Sequence, residues 1–391
     1  MGTGSVKKLV VVERCPDYHW DRLREALEKI FASLGGIGGF VAKGRLVLLK
    51  PNLLRHARPE EAVTTHPAFI RVLTLMLQEA GARVIIADSP GAGIPHNKNS
   101  LIKLYRACGL DLVAKETGAE LCLDTRYRTA SLPDGKAVKR IEIIEPFFQA
   151  DVVINLPKFK THVYTRLTGA VKNLFGLVPG RIKPGYHALL RNLQRFSAML
   201  VDVAEFTRPR LTIVDGIRGM EGEGPGGGKP RQMGLIVAGQ ATAAVDAVLC
   251  RIAGIEPESV STVKETILRG LIAADGGDIE IAGSSLADVV QKDFACPGQI
   301  EGENSFARVP AWLEPLLPLV SRLLTSRPAV KTDACTGCWE CVRVCPARAI
   351  SARGKTAGID YSLCIRCFCC HEACPSKAIR SQSPLLRRFL I

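Results

Sequence analysis

No apolar run in this chain approaches the length that crosses a bilayer, so no membrane span is expected. The opening "VKKLVVVERC" reads as a strand, without the basic start, apolar middle and small-residue cleavage site of an export signal. "MGTGSV" has Val6 where myristoylation needs serine or threonine. Basic residues never run to five in succession and no aromatics are interleaved with them. The formal charge of +14 therefore signals nucleic acid only weakly, and an anionic small substrate or an acidic redox partner fits it equally well; no nucleic acid is expected as a partner. A G-x-x-x-x-G-K-[ST] loop is missing, and no flavin motif stands out. "SLGGIGGF" (33–40) has the glycines of a dinucleotide fingerprint but follows a helix rather than a strand.

Cysteine, by contrast, is abundant and unevenly spread. Five of the 14 (Cys15, Cys108, Cys122, Cys250, Cys296) are scattered, mostly among apolar neighbours, and read as buried reduced thiols of a cytoplasmic protein. The other nine crowd two stretches, "CTGCWECVRVCP" (335–346) and "CIRCFCCHEACP" (364–375). Both follow C-x2-C-x2-C-x3-C-P, and Cys369 is the one cysteine outside the pattern. A zinc ribbon asks for two pairs with a long gap, not two triplets each with a fourth. In the two-cluster pattern the fourth cysteine of each run ligates the other run's cluster. One [4Fe–4S] cluster is thus expected on Cys335, Cys338, Cys341 and Cys374, and a second on Cys364, Cys367, Cys370 and Cys345. About fifty residues here resemble a bacterial two-cluster ferredoxin, which implies a small α+β domain that transfers electrons.

With 391 residues the chain has room for two or three domains. Upstream of the cysteines, apolar strands alternate with helical periodicity: "RLVLLKPNLL", "HPAFIRVLTLMLQEAGA", "RVIIADSPGAG", then "LIKLYRACGLDLVAKETGA" (101–119) as one helix. That alternation predicts an α/β domain with a mostly parallel sheet, in one unit or in two lobes, over residues 1–300. Residues 301–330 form a proline-bearing connector, with "AWLEPLLPLVSRLL" (311–324) as a packing segment, and 331–380 form the ferredoxin-like domain.

Ligands of open parallel sheets collect at the carboxyl ends of the strands. The densest such segment is 155–187, read as a glycine-rich loop after the strand "VVIN". Lys172, His162 and His187 are its candidate catalytic groups, with Lys158, Lys160 and Asn173 as substrate-binding groups beside Lys50 and Asn52. Lysines there suit a phosphate or carboxylate, and histidines suit proton transfer or metal ligation. Asp215 precedes and Glu221 lies within "GMEGEGPGGG", a loop expected to let backbone approach the substrate, and both are candidate proton-transfer or metal-binding carboxylates.

These loops carry a resemblance. "KPNLL", "TTHPAFI", "ADSPG", "NLPKFKTHVYTRLTGAVKNLFGLVPG", "VDGIRGMEGEGPGGG" and "AVDAVLC" resemble the family catalogued as domain of unknown function 362, in its version fused to a ferredoxin. The order His162, Lys172, His187 is distantly similar to a loop of the lactate racemase family, whose lysine carries a nickel-pincer nucleotide. Ala170 and Val171 stand where that family has two glycines, so the resemblance implies a shared scaffold rather than nickel chemistry.

The expected function is an iron–sulfur oxidoreductase. It would pass electrons from a partner protein through two [4Fe–4S] clusters to an anionic small substrate on the α/β loops. Two alternatives remain. In one, the chain is a ferredoxin-like carrier or subunit docking on another enzyme. In the other, the enzyme works without net redox change and its clusters are structural or sensory.

Overall fold

The computed structural model describes residues 7–91, 93–298 and 326–382. The segment 311–324 and most of the connector lie outside these residues.

One continuous sheet, rather than two lobes, organises the α/β unit. Its path runs β12 (Ile279–Gly283), β1 (Lys8–Arg14), β11 (Lys229–Gly239), β10 (Leu211–Glu221), β7 (Val152–Leu156), β2 (Leu46–Pro51), β3 (Arg83–Ile86) and β4 (Glu120–Leu121). All neighbours pair in parallel except β11, which is antiparallel to both β1 and β10. Two further strands, β8 (Lys158–His162) and β9 (Arg166–Thr168), branch off β10. A separate hairpin of β5 (Tyr127–Ser131) and β6 (Arg140–Ile144) stands beside the sheet.

The central strands are apolar on both sides because both faces are covered. Val47, Leu49, Ile86 and Ile154 face one cluster, built with α1 (Trp20–Ser33), α2 (Pro67–Glu79), α3 (Lys98–Ala107) and α4 (Leu110–Thr117). Leu48, Ile85 and Val153 face another, which includes the long helix Leu193–Thr207. The helix expected over 101–119 is two, α3 and α4, because Gly109 sits at φ 75 and turns the chain between them. The segment 155–187 is also more ordered than the loop expected. It contains β8, β9, the short helices Ala170–Asn173 and Lys183–Leu189, and a 3-10 turn.

The C-terminal unit repeats itself at an offset of 29 positions. Gly337, Trp339 and Arg348 have positive φ, and so do Arg366, Phe368 and Lys377. Each run ends in a short helix, Glu340–Val344 or Cys369–Ala373. Strand β13 (Arg327–Val330) pairs with β16 (Ile379–Gln382), and β14 (Ile350–Arg353) with β15 (Thr356–Ile359).

This unit is seated on the sheet's carboxyl edge. Phe368 is buried in the α/β core. Glu223, in the glycine-rich loop, receives hydrogen bonds from Arg380 (2.8 Å) and the Ser381 amide (3.0 Å). That loop was expected to serve the substrate. The structure gives it a docking role too, and of its residues Pro225 reaches the cavity at this edge.

Candidate functional site

Where β2, β3 and β8 end, a cavity of about 50 Å³ opens beneath the ferredoxin-like unit. Lys50 and Asn52 come from β2 and the residue after it, Asp88 and Ser89 from the loop after β3, and Lys160 and His162 from β8. The helix Ala170–Asn173 brings Lys172 and Asn173, and the helix Lys183–Leu189 brings Lys183 and His187. Cys369 and Glu372 close the cavity from the ferredoxin side. The sequence pointed to Asp88 and Ser89 only as part of the strand-end loop "ADSPG", and it missed Lys183, Cys369 and Glu372 as site residues, although the spare cysteine marked the last segment.

Three asparagines fix the floor. Lys160 Nζ donates to Asn52 Oδ1 (2.8 Å), Asn52 Nδ2 to Asn173 Oδ1 (2.9 Å), and Asn173 Nδ2 to Asn155 Oδ1 (2.8 Å). Asp246 accepts from the Ala170 and Val171 amides and so holds the short helix that carries Lys172. Gly169 has to be glycine, since a Cβ there would collide with Asp246. At Gly176 a Cβ would meet both Asp88 and Lys50.

Four lysines thus surround one small space, against two carboxylates. Lys50 is paired with Asp88 at 2.6 Å. Lys160 and Lys183 find only neutral acceptors: Asn52 Oδ1 and Val63 O for the first, Ser89 O and Pro90 O (2.7 Å each) for the second. Among the described residues Lys172 Nζ has no hydrogen-bond acceptor and lies 5.8 Å from the Phe175 ring. Burial pushes all four ammonium groups below their ordinary range, Lys183 to about 7.

The histidines are equally short of partners. His162 Nδ1 accepts the Tyr164 amide (3.0 Å), so in the neutral ring Nε2 carries the proton. That Nε2 is buried with no hydrogen-bond partner; its nearest carboxylate, Glu372, is 3.8 Å away. Thr168 Oγ1, also in a residue of the cavity wall, is likewise unsatisfied, as is Nδ1 of His187. His187 stacks on Phe196 at 4.1 Å and is held to about 3, first by burial and then by Lys172. Buried polar atoms are normally bonded, so several orphans around one cavity mark a place for a ligand.

Three of the expected residues lie elsewhere. Lys158 donates to Asp215 (2.7 Å) and to the Tyr18 hydroxyl (2.9 Å), and Tyr18 donates to Asp215 (2.8 Å). The His66 amide completes that carboxylate's shell at 2.9 Å. Glu221 receives Arg231 (2.9 Å) at the far end of β10.

The cysteines fall into two neighbourhoods. Cys335, Cys338, Cys341 and Cys374 line one small cavity. Burial pushes the Cys341 thiol up to about 11, and the thiols adding to that are Cys374, Cys338 and Cys335. Cys370 is pushed up by burial and then by Cys367, Cys364 and Cys345, with Cys341 of the first group last. The fourth cysteine of each run also accepts a backbone amide at 3.2 Å, from Ala349 onto Cys345 and from Ala378 onto Cys374. Among the described residues no His, Cys, Asp or Glu group converges on a single metal ion. A four-iron cubane instead needs thiols spread around its corners, and this donor set fits one.

A family model described as "Domain of unknown function (DUF362)" matches residues 47–251, and one described as "4Fe-4S dicluster domain" matches residues 327–375. The thylakoid-associated protein sll1697 of a Synechocystis strain is 36% identical over 260 residues, covering 66% of this chain and 78% of that protein. Among solved structures, the lactate racemase apoprotein from Thermoanaerobacterium thermosaccharolyticum superposes with a TM-score of 0.34 at 13% identity, over 55% of this chain and 52% of that one. No helix among the described residues is long and apolar enough to cross a membrane.

Proposed function

This chain belongs to the DUF362 family and carries a ferredoxin-like 4Fe–4S domain at its C-terminal side, and on that premise we propose that it is an iron–sulfur oxidoreductase whose substrate is a small anion held in the lysine cavity. One observation carries the reading. The cavity shares its wall with Cys369, a neighbour of the cysteines that would hold the second cluster, while its lysines lack carboxylates enough to balance them.

Two [4Fe–4S] clusters, held by Cys335, Cys338, Cys341 and Cys374 and by Cys364, Cys367, Cys370 and Cys345, would supply electrons one at a time. The protein's own groups do the rest. Lys160, Lys172 and Lys183 attract and orient the anion. His162 presents Nε2–H to it. Burying unpaired charge costs several kcal/mol per ion, so an anion in this space stabilises ammonium groups that otherwise tend to lose their protons. The electron-transfer partner and the cytoplasmic setting, with all the scattered thiols reduced, belong to the same proposal.

The test uses anaerobically purified protein. Iron and acid-labile sulfide should each reach about eight per chain, and sulfate titrated by calorimetry should bind. Dithionite-reduced protein should be reoxidised by some member of a panel of small carboxylates and phosphoesters that also carry a reducible group, a ketone, aldehyde or conjugated alkene that takes up two electrons and two protons. About four iron per chain overturns the second cluster. Sulfate binding that survives Lys172→Met undiminished moves the site elsewhere. Reoxidation by none of the panel removes the oxidoreductase reading.

A further inference from the structure

The lysine cavity is too small for a whole metabolite. Ligand sites for small molecules run to about 300–1,000 Å³, and this one offers about 50 Å³. A second cavity of about 350 Å³ adjoins it in the seam between the α/β unit and the ferredoxin-like unit. The two share Leu54, Gly91 and Glu372 as a common wall. Together they have the size of an ordinary ligand site.

The outer cleft differs from the inner cavity in chemistry. Leu54, Ile94, Pro95 and Pro375 give it apolar walls. Its charges balance: Arg55 and Lys103 stand against Glu340 and Glu372. His56, also on the wall, is lowered from its ordinary value by burial and then by Lys103 and Arg55, which favours the neutral ring. Whereas the inner cavity has an excess of lysines, nothing in the outer cleft selects a charge. One edge of the cleft is a close contact between the units: a Cβ on Gly91 would press on Glu372 and Leu54, and one on Gly93 on Ala373, so the loop after β3 approaches the ferredoxin helix through its glycines.

We propose that the outer cleft is a second subsite of the same substrate: the anionic head sits among the lysines, and an uncharged, largely apolar body extends past Glu372 between the two units. The inference rests on the anion-binding reading of the inner cavity. The chain's ligand is then a two-part molecule, an oxyanion joined to a neutral body, rather than a free inorganic ion. Both phosphate and carboxylate supply that head chemistry.

The experiment titrates cluster-replete protein with two homologous series, inorganic phosphate to hexyl phosphate and acetate to octanoate. In at least one series, affinity should rise on the order of threefold to fourfold per added methylene until the cleft is filled, the increment expected for burying a methylene. Ile94→Asn, which makes the wall polar without adding a charge, should flatten that dependence while leaving phosphate and acetate binding unchanged. Ser100→Trp, which fills the cleft from the start of α3 without entering the core, should do the same. Iron content and circular dichroism check that both variants are folded. Binding of the short anions with no gain from chain length in either series overturns the second subsite and leaves the anion site standing. A gain that survives both variants places the body elsewhere and also overturns it. Failure of phosphate, sulfate and acetate to bind at all overturns the anion site itself, and the subsite with it.

Discussion

Lys158 and Lys160 lie two residues apart on one strand, are equally buried, and face the same side of it. Lys158 meets an aspartate and a tyrosine that close around it, and the Asp215 oxygens are in turn bonded by Tyr18 and the His66 amide. Lys160 meets an asparagine and a carbonyl, and its neighbours Lys172 and Lys183 do no better. The first is a finished piece of structure. The second, on the function proposed above, is completed only when an anion binds. Burial of a lysine therefore says little by itself; what separates scaffold from site is whether the protein completes the charge balance.

The sharpest way to break this contrast is through stability. Asp215→Ala strands Lys158 in the core and should cost about 3–5 kcal/mol, the usual penalty for halving a buried pair, read as a lowered melting temperature at constant iron content. Lys172→Met removes an unpaired charge and should leave melting unchanged or raise it. Equal losses in the two variants would erase the distinction.

Binding should show the reverse order. Lys172→Met should weaken sulfate roughly ten- to a hundredfold, as expected for losing about 1.5–3 kcal/mol of charged hydrogen bonding. Lys158→Met, if it folds, should bind sulfate as the unaltered protein does.

A smaller effect should appear with pH. Lys183 is pulled down by burial to about 7, so in the free protein it loses its proton as pH rises through that value. An anion favours the charged form, so binding above that pH requires proton uptake. Sulfate affinity should fall with rising pH, by at most about tenfold per unit for one proton. His187, held to about 3, contributes nothing in this window. Affinity that rises with pH would exclude Lys183 as a contact.

Smallest of all is the effect of Cys369→Ser on metal content. Iron and sulfide should stay as in the unaltered protein, whereas Cys370→Ser should lose or convert a cluster. Loss of iron in the Cys369 variant alone would exchange the roles of these neighbours.

The grouping of the cysteines was legible in the sequence because a fixed spacing on one short segment encodes it. The parallel sheet was legible because buried strands are apolar throughout. The lysine cavity was legible in part. Lys50, Asn52, Lys160, His162, Lys172, Asn173 and His187 do line it, because they come after strand ends. Lys158 could not be told from Lys160, since the difference is made by Tyr18, 140 positions away in the chain. Asp215 looked like a loop carboxylate because β10 runs on to Glu221 and buries it. Glu372 and Cys369 were hidden for a different reason: they reach the cavity only through the docking of two units, and no local pattern records which face of a module is turned inward.

That docking has a consequence for direction. A duplicated unit has two interchangeable halves only while it is alone. Here Cys369 of the second half lines the inner cavity, and its counterpart Glu340 lines the outer cleft. Cys338, in the first half, is exposed to solvent, while Phe368 anchors the second half in the core. If each half holds a cluster, as proposed, the circuit would have an outside terminal and an inside one. Its polarity is set by which repeat was turned toward the sheet.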